Sequence, residues 1–290
     1  MKVFAVLVTY NPDFRLFEKS VNSLFPQVSC IVIVDNGSAS FDHLPDNCIL
    51  ISLNRNFGIA YAQNRGIEKA FEFGADCILL SDQDTVYPPD YVSSMLECAR
   101  KNTLQNIGGL VPVVFDEISG RRVPVMLEKM KGAVPPVSGC LKVAHAVASG
   151  TLIPADALQK CGLMREDFFI DFVDHEWCWR AASCGLNIYC LADVVIHHQL
   201  GDRMEKRSGL NIVYRSLFRF YYIIRNGYYL LYHTDYLKGK DRFLFWLLMQ
   251  KKKAEVLLLN RFDSASHAVV RSAVRNGKAG QFVSYEEASS

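Results

Sequence analysis

The chain has 290 residues, 50% of them hydrophobic and 21% charged, with a formal net charge of +2. Those values exclude a disordered or fibrous chain and fit one large folded domain, or one domain with an appended subdomain. No apolar run approaches the roughly 20 residues that span a bilayer, and nine cysteines without a C-x-x-C pair argue against a disulfide framework or a zinc site.

The first segment, "MKVFAVLVTYNPD", has too short an apolar run for a signal peptide and no small-residue cleavage site. Its β-branched residues read as a first strand. "CIVIVD" (30–35), "CILISL" (48–53) and "DCILLSD" (76–82) are further runs of the fully buried strand type. Between them "PDFRLFEKSVNSLF" and "GIAYAQNRGIEKAFEFG" (58–74) carry helical spacing, with Gly74 as a stop. Strands alternating with helices predict an α/β fold, a mostly parallel sheet covered by helices. Cys30, Cys77 and Cys190 lie inside such apolar runs, which reads as reduced, buried thiols in a cytosolic protein.

Right-handed crossovers bring the polar strand ends to one edge, where such sheets bind ligands. Those ends are Thr9-Tyr10-Asn11, Asp35-Asn36-Gly37-Ser38, Asn54-Arg55-Asn56 and Asp82-Gln83-Asp84. Further on, "AHAVASGTLIP" (144–154) reads as a strand, and "REDFFIDFVDHEWCWRAASCG" (165–185) as a loop entering a helix that stops near Gly185. "NIYCLADVVIHHQLG" (187–201) reads as one or two short strands with paired histidines at the exit. Beyond 205, "LFRFYYIIRNGYYLLYH" and "DRFLFWLLMQKKKAEVLLLNRF" read as two helices followed by a weakly patterned tail. The expected division is a domain over 1–204 and a helical, basic and aromatic region over 205–290.

"LLSDQDT" closes an apolar strand with two carboxylates, Asp82 and Asp84. A buried pair of that kind needs a cation, and hard oxygen ligands favour Mg²⁺ or Mn²⁺. Mg²⁺ is commonly held by one or two carboxylates together with substrate phosphates, which points to a diphosphate ligand. In "VDNGS", Gly37 permits a tight turn after Asp35, whose carboxylate can accept a hydrogen bond from a base N–H. Gly58 precedes a helix whose first amides can face phosphate. Asn56 and Asn64 stand eight residues apart, roughly two helical turns, and are expected to share a face.

"VTYNP", "VDNGS", "NFGIAYAQNRGI", "LSDQD", "SGTLI", "FFIDFVDHEWCWRA" and "HHQLG" occur here in an order and spacing that resemble family 2 glycosyltransferases of GT-A fold. More narrowly the chain looks like bacterial rhamnosyltransferases that use dTDP-L-rhamnose. The resemblance runs from residue 3 to about 230, and "FIDFVDHEWCWR" is its most subgroup-specific part. It implies a nucleotide-binding role for Thr9, Tyr10, Asn11 and Asp35, with Asn56 and Asn64 lining the same pocket. It implies Asp84 as a direct metal ligand, Asp82 nearer the ribose and metal-bound water, and His198 as a further metal ligand, with His197 its neighbour and rival. Ser149 and Gly150 match a segment beside the donor sugar. Asp174 matches the carboxylate taken as catalytic base, with Asp171 and Glu176 as rivals. Glu176 is expected to orient a partner such as Arg180.

Transfer from a nucleotide diphosphate sugar needs a positive clamp on the departing diphosphate and a base for the acceptor hydroxyl. One base and no evident second nucleophile favour a single displacement with inversion. The expected acceptor is a lipid-linked saccharide of a surface polysaccharide. A UDP-hexose or UDP-galactofuranose donor, or a non-catalytic nucleotide-sugar binder, are the other readings of the same residues. Residues 1–200 carry 16 Lys+Arg against 22 Asp+Glu, whereas residues 201–290 carry 16 against 8. A basic, aromatic tail suits an interfacial helix pair on anionic lipid, and equally a helical subdomain or dimer contact. The expected location is cytoplasmic, peripheral on the membrane, with no nucleic-acid partner.

Overall fold

The computed structural model describes residues 1–38, 47–116, 120–198, 204–207, 210–213 and 215–289. These form two compact units. The first comprises Met1–Glu166 and Trp177–Leu200, the second Asp167–Glu176 and Gly201–Ser290. The segment 167–176 belongs with the C-terminal unit, and the first unit resumes at Trp177 and runs to Leu200.

In the first unit β1 (Val3–Thr9), β2 (Cys30–Asp35) and β3 (Cys48–Ser52) alternate with α1 (Phe14–Leu24) and α2 (Ile59–Glu72). β4 (Cys77–Asp82), α3 (Tyr91–Lys101) and β5 (Ile107–Asp116) continue the alternation. Three short strands, β6 (Arg121–Arg122), β7 (Val125–Met126) and β8 (Ala133–Val134), precede β9 (Cys140–Val143) and β10 (Leu152–Pro154). Then come α4 (Ala155–Cys161), α5 (Val173–Ser183), which crosses the boundary between the units, and β11 (Asn187–His198). The main sheet runs β3-β2-β1-β4-β10-β5-β11-β9, with β6 on β5.

β1, β2 and β4 are parallel neighbours, while β10 lies antiparallel between β4 and β5. Every residue of β1 is buried, as a strand covered on both faces requires. Asp13 starts α1 by accepting from the amides of Arg15 and Leu16. The expected strand over 144–154 shrinks to Leu152–Pro154, because the chain turns through Ser149-Gly150 just before it. Residues 187–198 form one long strand, β11, whose register with β5 slips between Leu191 and Val195.

The second unit holds the hairpin β12 (Met204–Arg207) and β13 (Leu210–Val213), followed by α6 (Leu217–His233), α7 (Gly239–Leu259), α8 (Ser264–Ala279) and α9 (Tyr285–Ser289). α6 is buried almost all round, as Phe220, Tyr221, Tyr222, Ile223, Ile224 and Tyr228 show, so it is the core helix of this unit and not an interfacial one. The tail beyond 262 is helical, contrary to its weak sequence pattern. A Cβ on Gly277 would stand 2.3 Å from the Arg225 carbonyl oxygen, so only glycine lets α8 lie this close to α6. The Asn276 amide then reaches the Tyr221 hydroxyl at 3.0 Å. Among the described residues no helix is long and apolar enough to cross a membrane.

Candidate active site

Register places the strand ends of the first unit side by side. Thr9 pairs with Asp35 across β1 and β2, and Val8 pairs with Asp82 across β1 and β4. The Thr9 hydroxyl donates to the Asp35 carboxylate at 3.1 Å, and both residues are buried. The same carboxylate accepts the Ser38 amide at 3.0 Å, closing the turn that the sequence places at Gly37. Gly37 has φ +96°, and a Cβ there would meet the Arg55 carbonyl carbon at 2.7 Å. The 35–38 turn therefore nests against the 55–56 backbone.

Hydrogen bonds lace these loops into one rim. Asn11 stands at φ +46° and its amide donates to the Ser38 hydroxyl. The Tyr10 amide donates to Gln83 Oε1 at 2.8 Å, tying the end of β1 to the D-x-D loop. Asn36 Nδ2 donates to Asn56 Oδ1 at 2.9 Å, and Asn56 Oδ1 also accepts the Gly58 amide at 2.9 Å. Asn56 thus precedes α2 and fixes its entrance. It does not share a helical face with Asn64, because the helix begins only at Ile59. Asn64 is buried in α2, where its amide bonds the Met164 carbonyl at 2.8 Å and Glu166 Oε1 at 2.9 Å, while its Oδ1 accepts the Met164 amide. Those bonds make Asn64 an anchor for the 164–166 segment.

Asp82 ends β4 partly buried, and Asp84 is exposed in the turn that follows. The two carboxylates are therefore not a buried pair, and burial does not force a cation on them. Beneath them lies a buried polar network. The Ser149 hydroxyl bonds the Thr85 hydroxyl at 2.8 Å and accepts the Asp82 amide at 3.3 Å. The Tyr87 hydroxyl donates to Ser81 Oγ at 2.9 Å, and the Tyr91 hydroxyl donates to the Gly150 carbonyl. Burial pushes both phenols well above their ordinary range, so they are permanent donors. Ser149 and Gly150 thus brace the D-x-D loop from below. Thr85 and Tyr87 were not singled out from the sequence, and Asn36, Ser38 and Gln83 were read only as members of polar strand ends, because their individual roles depend on tertiary bonds.

Val86 forms an antiparallel bridge with His197, which brings the end of β11 beside the D-x-D turn. The His197 ring is exposed and lies 5.0 Å from that of Phe115. His198 closes β11 in register with Asp116, but its side chain and residues 199–201 lie outside the described residues. Among the described residues no three His, Cys, Asp or Glu side chains group to hold a metal ion. Two adjacent carboxylates still fit Mg²⁺ or Mn²⁺, which take further oxygen ligands from phosphates and water. Cys190 and Cys77 do not compete for such an ion, because burial pushes their thiols up to about 12 and about 11.

The remaining candidates divide between the units. Arg180 donates to the carbonyls of Cys161 and Leu163 in the first unit. In the second unit Asp174 occupies the first turn of α5, where a helix N-terminus favours negative charge. Its Oδ1 accepts the His175 amide at 2.8 Å and meets His175 Nδ1 at 2.8 Å, and its side chain is 25% exposed. Asp171 is clamped by Arg219 at 2.8 Å and Arg215 at 3.3 Å, with 11% of its side chain exposed. Glu176 is fully buried and accepts from the Tyr236 hydroxyl at 3.1 Å.

The profile of Glycosyl transferase family 2 matches residues 4–162. The dTDP-rhamnosyl transferase RfbF of Shigella flexneri is 34% identical over 238 residues, 79% of either chain. The uncharacterized glycosyltransferase YwdF of Bacillus subtilis (strain 168) is 30% identical over 135 residues, 43% of this chain and 48% of its own. Among solved structures, S. aureus TarS 1-349 superposes with a TM-score of 0.57 at 15% identity, covering 97% of this chain and 92% of that one. GalNAc-T7 with UDP, GalNAc and Mn²⁺ superposes with a TM-score of 0.55 at 15% identity, covering 70% of this chain and 45% of that one. These two likenesses speak to the fold alone, a GT-A sheet with flanking helices. Sequence carries the rest: with more than half its length inside the family match, the chain belongs to glycosyl transferase family 2 and is a glycosyltransferase.

Proposed function

We propose that the protein transfers L-rhamnose from dTDP-L-rhamnose to a lipid-linked saccharide of a surface polysaccharide, with inversion at the anomeric carbon. The observation that carries this reading is the 34% identity to a dTDP-rhamnosyl transferase over most of both chains. The strand-end rim fits the donor half of the reaction. Asp35 keeps lone pairs beyond those used by Thr9 and Ser38 and accepts a base N–H. Thr9, Tyr10, Asn11 and Asn56 frame the nucleoside, while Asn64, also matched to that pocket by the family resemblance, anchors the 164–166 segment. Asp82 and Asp84, with His198, would hold Mg²⁺ or Mn²⁺, which when bound supplies positive charge to the departing diphosphate. Asp174 takes the proton of the acceptor hydroxyl as its oxygen attacks the anomeric carbon. The bond from that carbon to the phosphate oxygen breaks, and dTDP leaves.

A panel of dTDP- and UDP-sugars, followed by release of nucleoside diphosphate with water as acceptor, tests the donor. Turnover of dTDP-L-rhamnose above UDP-glucose and UDP-galactofuranose is the expected result. Turnover of UDP donors alone would remove rhamnose. No turnover of any donor would favour a nucleotide-sugar binder.

We further infer that the second unit docks on anionic lipid, where a lipid-linked acceptor resides. The support lies on α7, where Phe243 (58% exposed), Trp246 (41%) and Leu247 (42%) follow helical spacing and Lys240, Arg242 and Lys251 flank them. The protein is expected to float with phosphatidylglycerol vesicles, less with phosphatidylcholine, and the double change Phe243→Ser, Trp246→Ser is expected to release it. Unchanged flotation of the double variant would assign this face another partner.

A further inference from the structure

The segment that leads to Asp174 is held in a conformation its own residues disfavour. Phe169, Asp171 and Phe172 have φ of +62°, +64° and +63°, and none is glycine. Three left-handed residues in four positions persist only where the surroundings over-determine them. In the second unit the surroundings are two adjacent residues of α6. Asn226, fully buried, donates through Nδ2 to the carbonyls of Phe168, Ile170 and Asp171, each at 2.9 Å. Arg225, 2% exposed, donates through Nη2 to the carbonyls of Asp167 at 2.6 Å and Phe168 at 3.1 Å.

The two side chains also lock each other. Asn226 Oδ1 accepts from Arg225 Nε at 3.0 Å and from Nη2 at 2.9 Å, which fixes the amide's orientation and aims Nδ2 at the loop. Arg225 Nη1 donates to the Val283 carbonyl at 2.9 Å, and its guanidinium lies 4.7 Å from the Tyr222 ring centre. On the other side of the segment, Arg219 and Arg215 grip the Asp171 carboxylate. Phe169 stacks on Tyr222 at 4.8 Å, and Phe172 packs on Phe245 at 5.5 Å. Every peptide from Asp167 to Asp171 except that of Phe169 has its carbonyl taken by Arg225 or Asn226. Helix α5 begins immediately afterwards, at Val173, and Asp174 is its second residue.

We propose that Asn226, oriented by Arg225, is a positioning residue for the Asp174 carboxylate: it holds the 168–172 backbone, with its left-handed residues at 169, 171 and 172, that sets where α5 starts. This inference rests on the reading of Asp174 as the base. Without Asn226 the carbonyls of Ile170 and Asp171 lose their side-chain donor and that of Phe168 keeps Arg225, so the segment relaxes toward ordinary φ values and the first turn of α5 is released. A misplacement of about 1 Å at a reacting group costs on the order of 10²-fold in rate.

The test is a double-mutant cycle of Asn226→Ala and Asp174→Asn, reading dTDP release from dTDP-L-rhamnose and dTDP affinity by calorimetry. Asn226→Ala is expected to lower kcat by about 10²-fold with dTDP affinity unchanged, because the nucleoside rim belongs to the first unit. In the Asp174→Asn background the same change is expected to cost nothing further, since a positioning residue has nothing left to position. Full additivity, or a wild-type kcat for Asn226→Ala, would overturn the inference. Wild-type turnover by Asp174→Asn alone would instead remove the base reading itself, so the two failures are distinct. Should Asn226→Ala not fold, Asn226→Ser, whose hydroxyl offers one donor in place of the amide's two, enters the same cycle and is read by the same outcomes.

Discussion

Asp174→Asn is expected to slow dTDP release from dTDP-L-rhamnose by about 10²–10⁴-fold, the usual weight of one general base, while dTDP affinity stays unchanged. The amide keeps the shape of the carboxylate and one carbonyl oxygen, so the bond from the His175 amide to Oδ1 at 2.8 Å survives. What it loses is the ability to take a proton. The two rival carboxylates of the same segment are placed for other tasks. Asp171 spends its oxygens on Arg215 and Arg219 and is only 11% exposed, so its carboxylate is not open to an acceptor hydroxyl. Glu176 is sealed from solvent, with Oε1 on the Tyr236 hydroxyl. Asp174 alone of the three combines a quarter-exposed side chain with a place in the first turn of a helix. Steady-state kinetics with a single donor decides the matter, and undiminished turnover would return the base to an unassigned residue.

The parallel strands were legible because both of their faces are covered. Runs such as "VFAVLVT" and "CIVIVD" have no polar face to confuse the period, and they end where polar side chains begin. The rim followed from that ending: register does bring Thr9, Asp35 and Asp82 to adjacent strands. Residues 144–151 were misread because their apolar character serves a turn, and the bonds that hold Ser149 and Gly150 come from Thr85 and Tyr91, some sixty residues away. Periodicity carries no information about such partners. α8 escaped notice for the opposite reason. Its sequence "SASHAVVRSAVRNGKA" buries Val269, Val270, Ala273 and Gly277, a face short of large apolar side chains that permits the close approach at Gly277. The resemblance places Asn64 in the nucleotide pocket, and its bonds to Met164 and Glu166, 100 and 102 residues on, leave no mark in the sequence.

A divalent ion at the D-x-D pair was argued from burial of both carboxylates, and the structure corrects that premise. A buried pair of carboxylates would demand a permanent counter-ion, but Asp84 is exposed and Asp82 only partly buried. In water two carboxylates repel weakly, at about 1 kcal/mol for a 4 Å separation, so the apo rim tolerates both charges without a cation. The electrostatic demand arises when a diphosphate arrives, because its charge adds to theirs beside a low-dielectric sheet edge. Divalent ion and nucleotide are therefore expected to bind together, each weakly alone. Asp84→Ala removes an exposed side chain that no core contact needs, so folding should be intact while the shared site is lost. The expected result is a fall in Mn²⁺-dependent dTDP affinity of at least about 10²-fold, since a carboxylate ligand and the charge it balances are worth several kcal/mol. Calorimetry of dTDP with Mn²⁺, and again with EDTA, provides the reading for both proteins. If wild-type dTDP affinity is the same with Mn²⁺ and with EDTA, or Asp84→Ala leaves the Mn²⁺ dependence intact, these carboxylates serve the rim's own structure and the diphosphate is held by other groups.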